Sequence, residues 1–282
     1  MVFASLLVTF REALEASLIV TIVSAYLKKI GRTELNRYLF AGSLLAVLFS
    51  IGLGWTIQIL YGTLEGAAVA AFEGTAALIA TVVLTYMIFW MGRNARKVRQ
   101  EIEQKIEVAV SRGQVYSIFA LAFVAVVREG IETVLFLTAV FFLDPSGTVL
   151  GITAGLGLVL MLVLLLLRGT YRLDVRTFFK YSSVLLLVLA AGLAGFGVHE
   201  LIGSAESSGI ELGVLSQKAF NINPADEANI FHEKGIIGSV LSALIGYTGS
   251  PEWLRVIVYL SYWTIVGAYL LRAYRPVRIL QR

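Results

Sequence analysis

Cysteine is absent from this chain of 282 residues, and histidine occurs only twice, at His199 and His232. The missing cysteine excludes disulfides and thiolate metal sites, and so few histidines argue against haem ligation or a dedicated Zn²⁺ or Cu⁺ site. Charge is also scarce, since only 15% of the residues are charged whereas 58% are hydrophobic. This composition excludes an ordinary soluble domain and indicates an integral membrane protein.

Apolar runs of the length that a bilayer requires follow one another along the chain. We predict an all-α protein with about seven transmembrane helices, at 2–27, 38–60, 70–91, 115–143, 147–167, 178–202 and 254–271. One further apolar stretch, Gly235 to Tyr247, is too short to span and is expected to be re-entrant or interfacial.

The basic residues predict the orientation of these helices. Of the 23 lysines and arginines, 18 lie within 28–37, 93–112, 168–180 and 272–282, all on one side of the predicted spans. Cytoplasmic loops carry such an excess, so the N-terminus is predicted outside and the C-terminus in the cytoplasm. The net charge of +4 is therefore read as a topology signal and not as a nucleic-acid surface.

We predict a single membrane domain over 1–282, because the polar connections leave no room for a separate soluble domain. Its parts are a first repeat at about 1–92, a cytoplasmic connector at 93–114, a second repeat at about 115–202, an outer loop at 203–253 and a seventh helix at 254–271. The expected location is the plasma membrane, as in a bacterial inner membrane.

The charged residues inside the predicted spans form two copies of one motif, Arg-Glu-x-x-Glu. The first copy contains Arg11, Glu12 and Glu15 in the first helix, and the second contains Arg128, Glu129 and Glu132 in the fourth. Six unpaired charges in hydrocarbon would cost on the order of 15–20 kcal/mol, so they must face one another or a wet cavity. Together they predict a gate-like cation site with four carboxylates and two arginine counter-ions.

The two motifs are 117 residues apart, with three predicted helices in each unit. Because three is an odd number, the second unit enters the membrane from the opposite side, which predicts a 3+3 inverted repeat plus one extra helix. Helices one and four would then meet near the midplane, where secondary transporters place their substrate. Carboxylate oxygens favour hard cations such as Mg²⁺, Ca²⁺, Mn²⁺ or Fe³⁺, and the residues alone do not choose among them.

The paired Arg-Glu-x-x-Glu motifs resemble those of the oxidase-dependent iron permease family, which includes fungal high-affinity iron permeases and bacterial EfeU-type permeases. The resemblance covers essentially the whole chain and extends to Phe72-Glu73-Gly74 and to the run from Tyr86 to Met91. It implies high-affinity iron import, with Fe²⁺ oxidised outside and the Fe³⁺ passed to the four motif glutamates. It also implies an extracytoplasmic partner, either a multicopper oxidase or cupredoxin-like and haem peroxidase proteins. Iron would be the substrate, with no permanent cofactor, and a homo-oligomer is compatible with this reading.

Several polar residues outside the motifs are candidates for the iron pathway, because intramembrane acids are commonly functional. These candidates are Glu73, His199, Glu200, Asp226, Glu227, His232 and Glu233. The last four lie in the outer loop, where fungal relatives carry a short Glu-x-x-Glu-like element that this chain lacks. Their alternative reading is a solvated acidic loop.

Two other functions remain open from the residues alone. One is a carrier of another hard cation such as Mn²⁺, or a proton-coupled transporter. The other is a membrane di-iron enzyme, which would require Glu-x-x-His motifs that the chain does not contain.

Overall fold

The structure is a computed structural model. The residues that it describes are 2–94, 115–167, 175–224, 229–232 and 235–273. The connector predicted at 93–114 lies almost entirely outside the described residues.

Long helices dominate the described part of the chain. The bounds are Val2–Lys29 (α1), Asn36–Tyr61 (α2), Ala67–Asn94 (α3), Val115–Leu143 (α4), Pro145–Leu167 (α5), Val175–Ser207 (α6), Ile236–Ile245 (α7) and Trp253–Ala273 (α8). No strand occurs among the described residues, which contain one isolated bridge between Lys218 and Glu252. The predicted all-α class is confirmed.

Each of the seven predicted spans coincides with one long helix, and no helix end lies more than five residues beyond the predicted one. The apolar stretch predicted to be too short to span forms α7, which has only 10 residues. Gly246 ends α7 in the left-handed conformation at φ 71°, which suits a residue without Cβ.

The start of α5 shows how local sequence sets a helix boundary. Asp144 Oδ1 accepts hydrogen bonds from the backbone N–H of Gly147 at 2.9 Å and from the hydroxyl of Ser146 at 3.1 Å. Pro145 occupies the first helical position, where no backbone N–H is needed. Because the Gly147 N–H bonds to the ionised carboxylate, the pKa of Asp144 is lowered from its ordinary value.

In the described part of the chain, four segments are long and apolar enough to cross a membrane: Thr33–Tyr61, Ala67–Trp90, Pro145–Leu165 and Tyr181–Ser207. Helices α1 and α4 are also long enough, at 28 and 29 residues, but each contains the three charged residues of one motif. The charged residues of the motif therefore interrupt the apolar sequence of each of these two helices.

The chain divides into two compact units. The first contains Met1–Glu65 with Ile79–Leu187, and the second contains Gly66–Leu78 with Val188–Arg282. The single membrane domain predicted for residues 1–282 stays a prediction.

In the first unit, α1 packs against α5, and α2 packs against α4, each pair side by side in the same direction. Gly151 of α5 approaches Val2 and Ser5 of α1, while Gly42 of α2 approaches Phe119 and Ala122 of α4. A side chain at either glycine would collide with the neighbouring backbone or side chain. Because glycine has no Cβ atom, the two helices of each pair can pack closely.

In the two helix pairs, the glycine of one helix contacts equivalent positions of the other helix. Residues 2 and 5 of α1 lie 117 positions before residues 119 and 122 of α4, which is also the spacing of the two motifs. Helices α1 and α4 themselves run antiparallel, because Val23 and Leu27 near the end of α1 share a buried cluster with Ile118 near the start of α4. The α4–α2 pair therefore repeats the packing of the α1–α5 pair, but its helices run in the opposite direction.

In the second unit, parts of α3 and α6 cross at a pair of glycines. A Cβ added to Gly74 would lie 2.7 Å from the carbonyl oxygen of Gly197, and one added to Gly197 would lie 2.8 Å from the carbonyl oxygen of Gly74. The hydroxyl of Ser204 donates to the carbonyl of Ala67 at 2.8 Å, so the helices are antiparallel. Small residues again permit this backbone approach.

Candidate cation site

The first motif lies in α1 and turns its charged side chains into the protein. Arg11 is completely buried, with Nη1 3.4 Å from Glu12 Oε1 and Nε 3.0 Å from Glu15 Oε1. The Nε–Oε1 pair is close but is not aligned as a hydrogen bond. Helical spacing explains why one arginine reaches a carboxylate one turn away. Arg11 is therefore shared between both acids of its own motif.

The second motif, in α4, has a different arrangement. Arg128 Nε donates to Glu132 Oε1 at 2.9 Å, and the guanidinium carbon lies 4.8 Å from the centre of the Trp90 ring. The Arg128 side chain is 44% exposed, in contrast to Arg11 at 0%. Glu129 is buried on the same helix. Arg128 is thus held between a carboxylate and an aromatic ring at the edge of the site.

Three carboxylates from the two helices converge. One oxygen from each of Glu12, Glu15 and Glu129 lies within 4.8 Å of the other two. Antiparallel packing of α1 and α4 makes this possible, since it brings the middle of one helix against the middle of the other. The structure therefore brings together three of the four predicted motif glutamates, while Glu132 is engaged by Arg128.

The cluster contains more acceptor atoms than donors. The Oε2 atoms of Glu12, Glu129 and Glu132 are buried, and none has a hydrogen-bond partner among the described residues. Unpartnered buried carboxylate oxygens are costly, and closely spaced like charges add repulsion. Oxygen atoms so arranged suit a hard cation, which bonds several carboxylates at once.

A second polar group lies in the second unit and contains three of the predicted pathway residues. His199 Nδ1 lies 2.7 Å from Glu252 Oε1, and Glu73 lies near enough to Glu200 to repel it electrostatically. No three metal-ligand atoms converge here among the residues described. The pathway role of Glu73, His199 and Glu200 stays a prediction.

Glu252, the residue before α8, is the partner of His199 and was not predicted from sequence as a site residue. Burial acts to raise the pKa of Glu252, but the hydrogen bond with His199 and the nearby charge of Arg255 outweigh it, so its pKa is lowered. The bond joins positions 53 residues apart, and no local pattern indicates it.

The outer-loop candidates are described only in part. His232 is buried, and its backbone N–H donates to the carbonyl oxygen of Asn229 at 3.0 Å. Asp226, Glu227 and Glu233 lie outside the described residues. Capture of a cation by this loop stays a prediction.

Two further residues border the second motif, and neither was predicted from sequence to take part in the site. Trp90, from the run between Tyr86 and Met91, stacks on Arg128. Ser50 of α2 packs so closely on Gly130 that a Cβ at position 130 would overlap it. Both contacts join residues from different helices, so only folding reveals them.

Buried carboxylates gathered between two long helices, with arginines as counter-ions, define a membrane transporter for cations. A family model described as "Iron permease FTR1 family" matches residues 2–272. The chain belongs to this family. It is therefore an integral membrane transporter and not an enzyme, and iron is its transported substrate.

Curated relatives match along nearly the whole chain. A protein of Archaeoglobus fulgidus with no described function is 40% identical over 272 residues, 96% of this chain and 95% of its own. "Ferrous iron permease EfeU" of Escherichia coli O6:K15:H31 is 33% identical over 263 residues, 92% of each chain. The protein of that name from Yersinia pestis is 31% identical, covering 92% of this chain and 90% of its own. No solved structure matches.

Proposed function

We propose that the protein imports iron by binding it between α1 and α4, at Glu12, Glu15 and Glu129. The convergence of three carboxylate oxygens within 4.8 Å carries this proposal. Glu132 completes the acidic set from the edge of the site and can join when Arg128 moves. Iron fits these ligands because both of its common ions accept carboxylate oxygen.

Arg11 and Arg128 act as internal counter-ions. Each guanidinium contacts a carboxylate one helical turn away, at 3.0 Å for Arg11 and 2.9 Å for Arg128. A guanidinium keeps its charge in a low dielectric, so it can hold the acids ionised between cation-binding events. An arriving cation replaces part of this pairing and is released when the pairing returns.

The helices are arranged as an inverted repeat, in which α1 to α3 correspond to α4 to α6. Supporting this, α1 packs on α5 as α4 packs on α2, with residues 2 and 5 in the places of 119 and 122. Helices α1 and α4 then lie around a pseudo-two-fold axis, so alternate movement of the two halves would expose the same site to each side in turn.

The chain crosses the membrane seven times, with its N-terminus outside and C-terminus in the cytoplasm. The absence of cysteine makes this directly testable. Cysteines introduced at Ser146 or Ser208 should react with an impermeant reagent added outside, whereas one at Ser111 should not. Labelling in the reverse pattern would overturn the orientation and the direction of transport.

The transported ion is Fe³⁺, produced outside by a partner that oxidises Fe²⁺. Two of the curated relatives carry the name ferrous iron permease, which designates Fe²⁺ for those proteins. The acidic site supports the harder ion, since carboxylates prefer high charge density. The partner resembles a multicopper oxidase or a periplasmic cupredoxin-like and haem peroxidase system.

Iron uptake by proteoliposomes tests the site. Fe²⁺ under reducing conditions and chelated Fe³⁺ are supplied separately to the parent, to Glu129→Gln and to Glu65→Gln, whose carboxyl is exposed and remote in sequence from both motifs. We expect uptake by the parent and the Glu65 variant and loss in the Glu129 variant. Equal uptake by all three would exclude the carboxylate cluster, and competition by Mn²⁺ at equal concentration would indicate a broader hard-cation carrier.

A further inference from the structure

The two arginines have unequal access to the carboxylate cluster. Arg11 lies inside it, at 0% exposure, and contacts both acids of its motif. Arg128 contacts Glu132 and is 44% exposed. Since the motifs have the same charged residues, this difference must come from residues other than the arginine and the two glutamates.

Arg128 differs from Arg11 in that an aromatic ring, that of Trp90, lies beside its guanidinium. The ring lies 4.8 Å from the guanidinium carbon, within the distance for a cation–π contact. Guanidinium groups are planar and stack well on aromatic faces. Among the described residues, no ring lies over Arg11. The stacked Arg128 has its charge partly satisfied without entering the cluster.

The position of Arg128 decides which cation neutralises Glu129. Arg128 is near enough to Glu129 and Glu15 to attract both electrostatically. If it swung inward, it would place a second fixed positive charge among Glu12, Glu15 and Glu129, whose oxygens lie within 4.8 Å of one another. A metal ion would then have to displace that charge in order to bind.

We propose that Trp90 is a positioning residue that holds Arg128 at the edge of the site, which leaves Glu129 available to the transported cation. This inference rests on the proposed iron site and adds a determinant of its affinity. In this role Trp90 acts through its contact with Arg128. Loss of the ring therefore weakens cation binding more than it slows translocation.

The Trp90–Arg128 contact is tested first without iron. A variant in which Trp55, Trp253 and Trp263 are phenylalanine retains Trp90 as its only tryptophan, whose emission can be excited selectively. In this background Arg128→Gln should shift or change the intensity of the emission, because a charge over the ring is removed. Arg37→Gln, at an exposed arginine outside the site, is the control and should leave the emission unchanged. Equal responses, or none, would overturn the contact.

Transport kinetics then test what the contact does. Trp90→Leu should raise the KM for iron by roughly 2- to 30-fold, as expected for loss of a cation–π contact, with the maximal rate within about twofold of the parent. Trp90→Phe keeps an aromatic face and should restore most of the affinity. Trp55→Leu, at an exposed tryptophan, is the control for loss of indole bulk.

The outcomes separate this inference from the proposed function. A parent that takes up no iron overturns both. A parent that transports iron with Trp90→Leu at the parental KM overturns the positioning role alone. If Trp90→Leu inserts poorly, Trp90→Phe decides: parental affinity supports the role of the aromatic face, whereas a KM raised by the roughly 2- to 30-fold expected for loss of the whole contact contradicts it.

Discussion

The two Arg-Glu-x-x-Glu motifs have the same charged residues but lie in different surroundings. In α1, Arg11 is completely buried and contacts Glu12 and Glu15. In α4, Arg128 stacks on Trp90 and donates to Glu132, while Glu129 lies near the acids of α1. The neighbouring helices, and not the charged residues of the motif alone, therefore set the contacts of each charged side chain.

We expect the largest effect on iron binding when the two acids of the second motif are substituted separately. Glu129→Gln removes a charged oxygen from the three-carboxylate cluster, whereas Glu132→Gln removes the partner of Arg128. We expect Glu129→Gln to weaken iron binding by at least about 10-fold. Glu132→Gln should have a smaller effect on binding. Uptake measured over a range of iron concentrations compares them, and equal affinities would refute the unequal roles.

The next effect contrasts the two arginines. Lysine cannot reproduce a guanidinium shared between two acids, and a buried lysine can lose its proton. Arg11→Lys should therefore impair uptake severely, since breaking a buried ion pair costs about 3–5 kcal/mol. Arg128→Lys should also impair uptake, but less, because this side chain is 44% exposed. Both variants are compared by initial uptake rate at equal amounts of inserted protein. A larger loss in Arg128→Lys would reverse the comparison.

A smaller effect concerns the uncharged residue after the first glutamate of each motif, Ala13 in one and Gly130 in the other. Ser50 leaves no space for a Cβ at position 130. Gly130→Ala should destabilise the protein by about 1–3 kcal/mol, as expected for overpacking. Thermal unfolding in detergent measures this, and Gly130→Ala combined with Ser50→Gly should recover the loss. If Ser50→Gly does not restore the stability of Gly130→Ala, the contact between Ser50 and position 130 is not the cause of the loss.

The smallest effect compares α2 and α5, the two helices that the proposed repeat makes equivalent. Asp144 caps α5 through the N–H of Gly147, whereas Leu35 before α2 makes no side-chain cap. Asp144→Ala should cost about 1 kcal/mol, while Leu35 offers no cap to remove.

The pH dependence of this cap follows from its lowered pKa. The contribution of Asp144 is fully present above the ordinary carboxyl pKa and is lost as the pH falls through the lowered value. Unfolding of the parent and of Asp144→Asn, measured from neutral to acidic pH, should converge at low pH. A constant difference would contradict the ionised cap.

Much of the fold could be predicted from sequence because the bilayer sets strict demands on helix length and polarity. The seven apolar runs coincide with the seven long helices, and the short run between Gly235 and Tyr247 forms a short helix. The meeting of α1 and α4 could be predicted too, since their buried charges need one another. The stacking of Trp90 on Arg128 could not, because a partner on another helix leaves no local periodic signal.

The all-helical class, the approximate helix bounds and the acids available to a cation follow from the order of residues alone. Hydrophobic length and intramembrane charge are local properties with large free energies, so they are visible along the chain. The convergence of Glu12, Glu15 and Glu129, and the pairing of Glu132 with Arg128, become visible only once the helices have packed. The same holds for the contact between His199 and Glu252. These pairings depend on how helices pack, and differences of an ångström in packing decide which oxygen atoms meet.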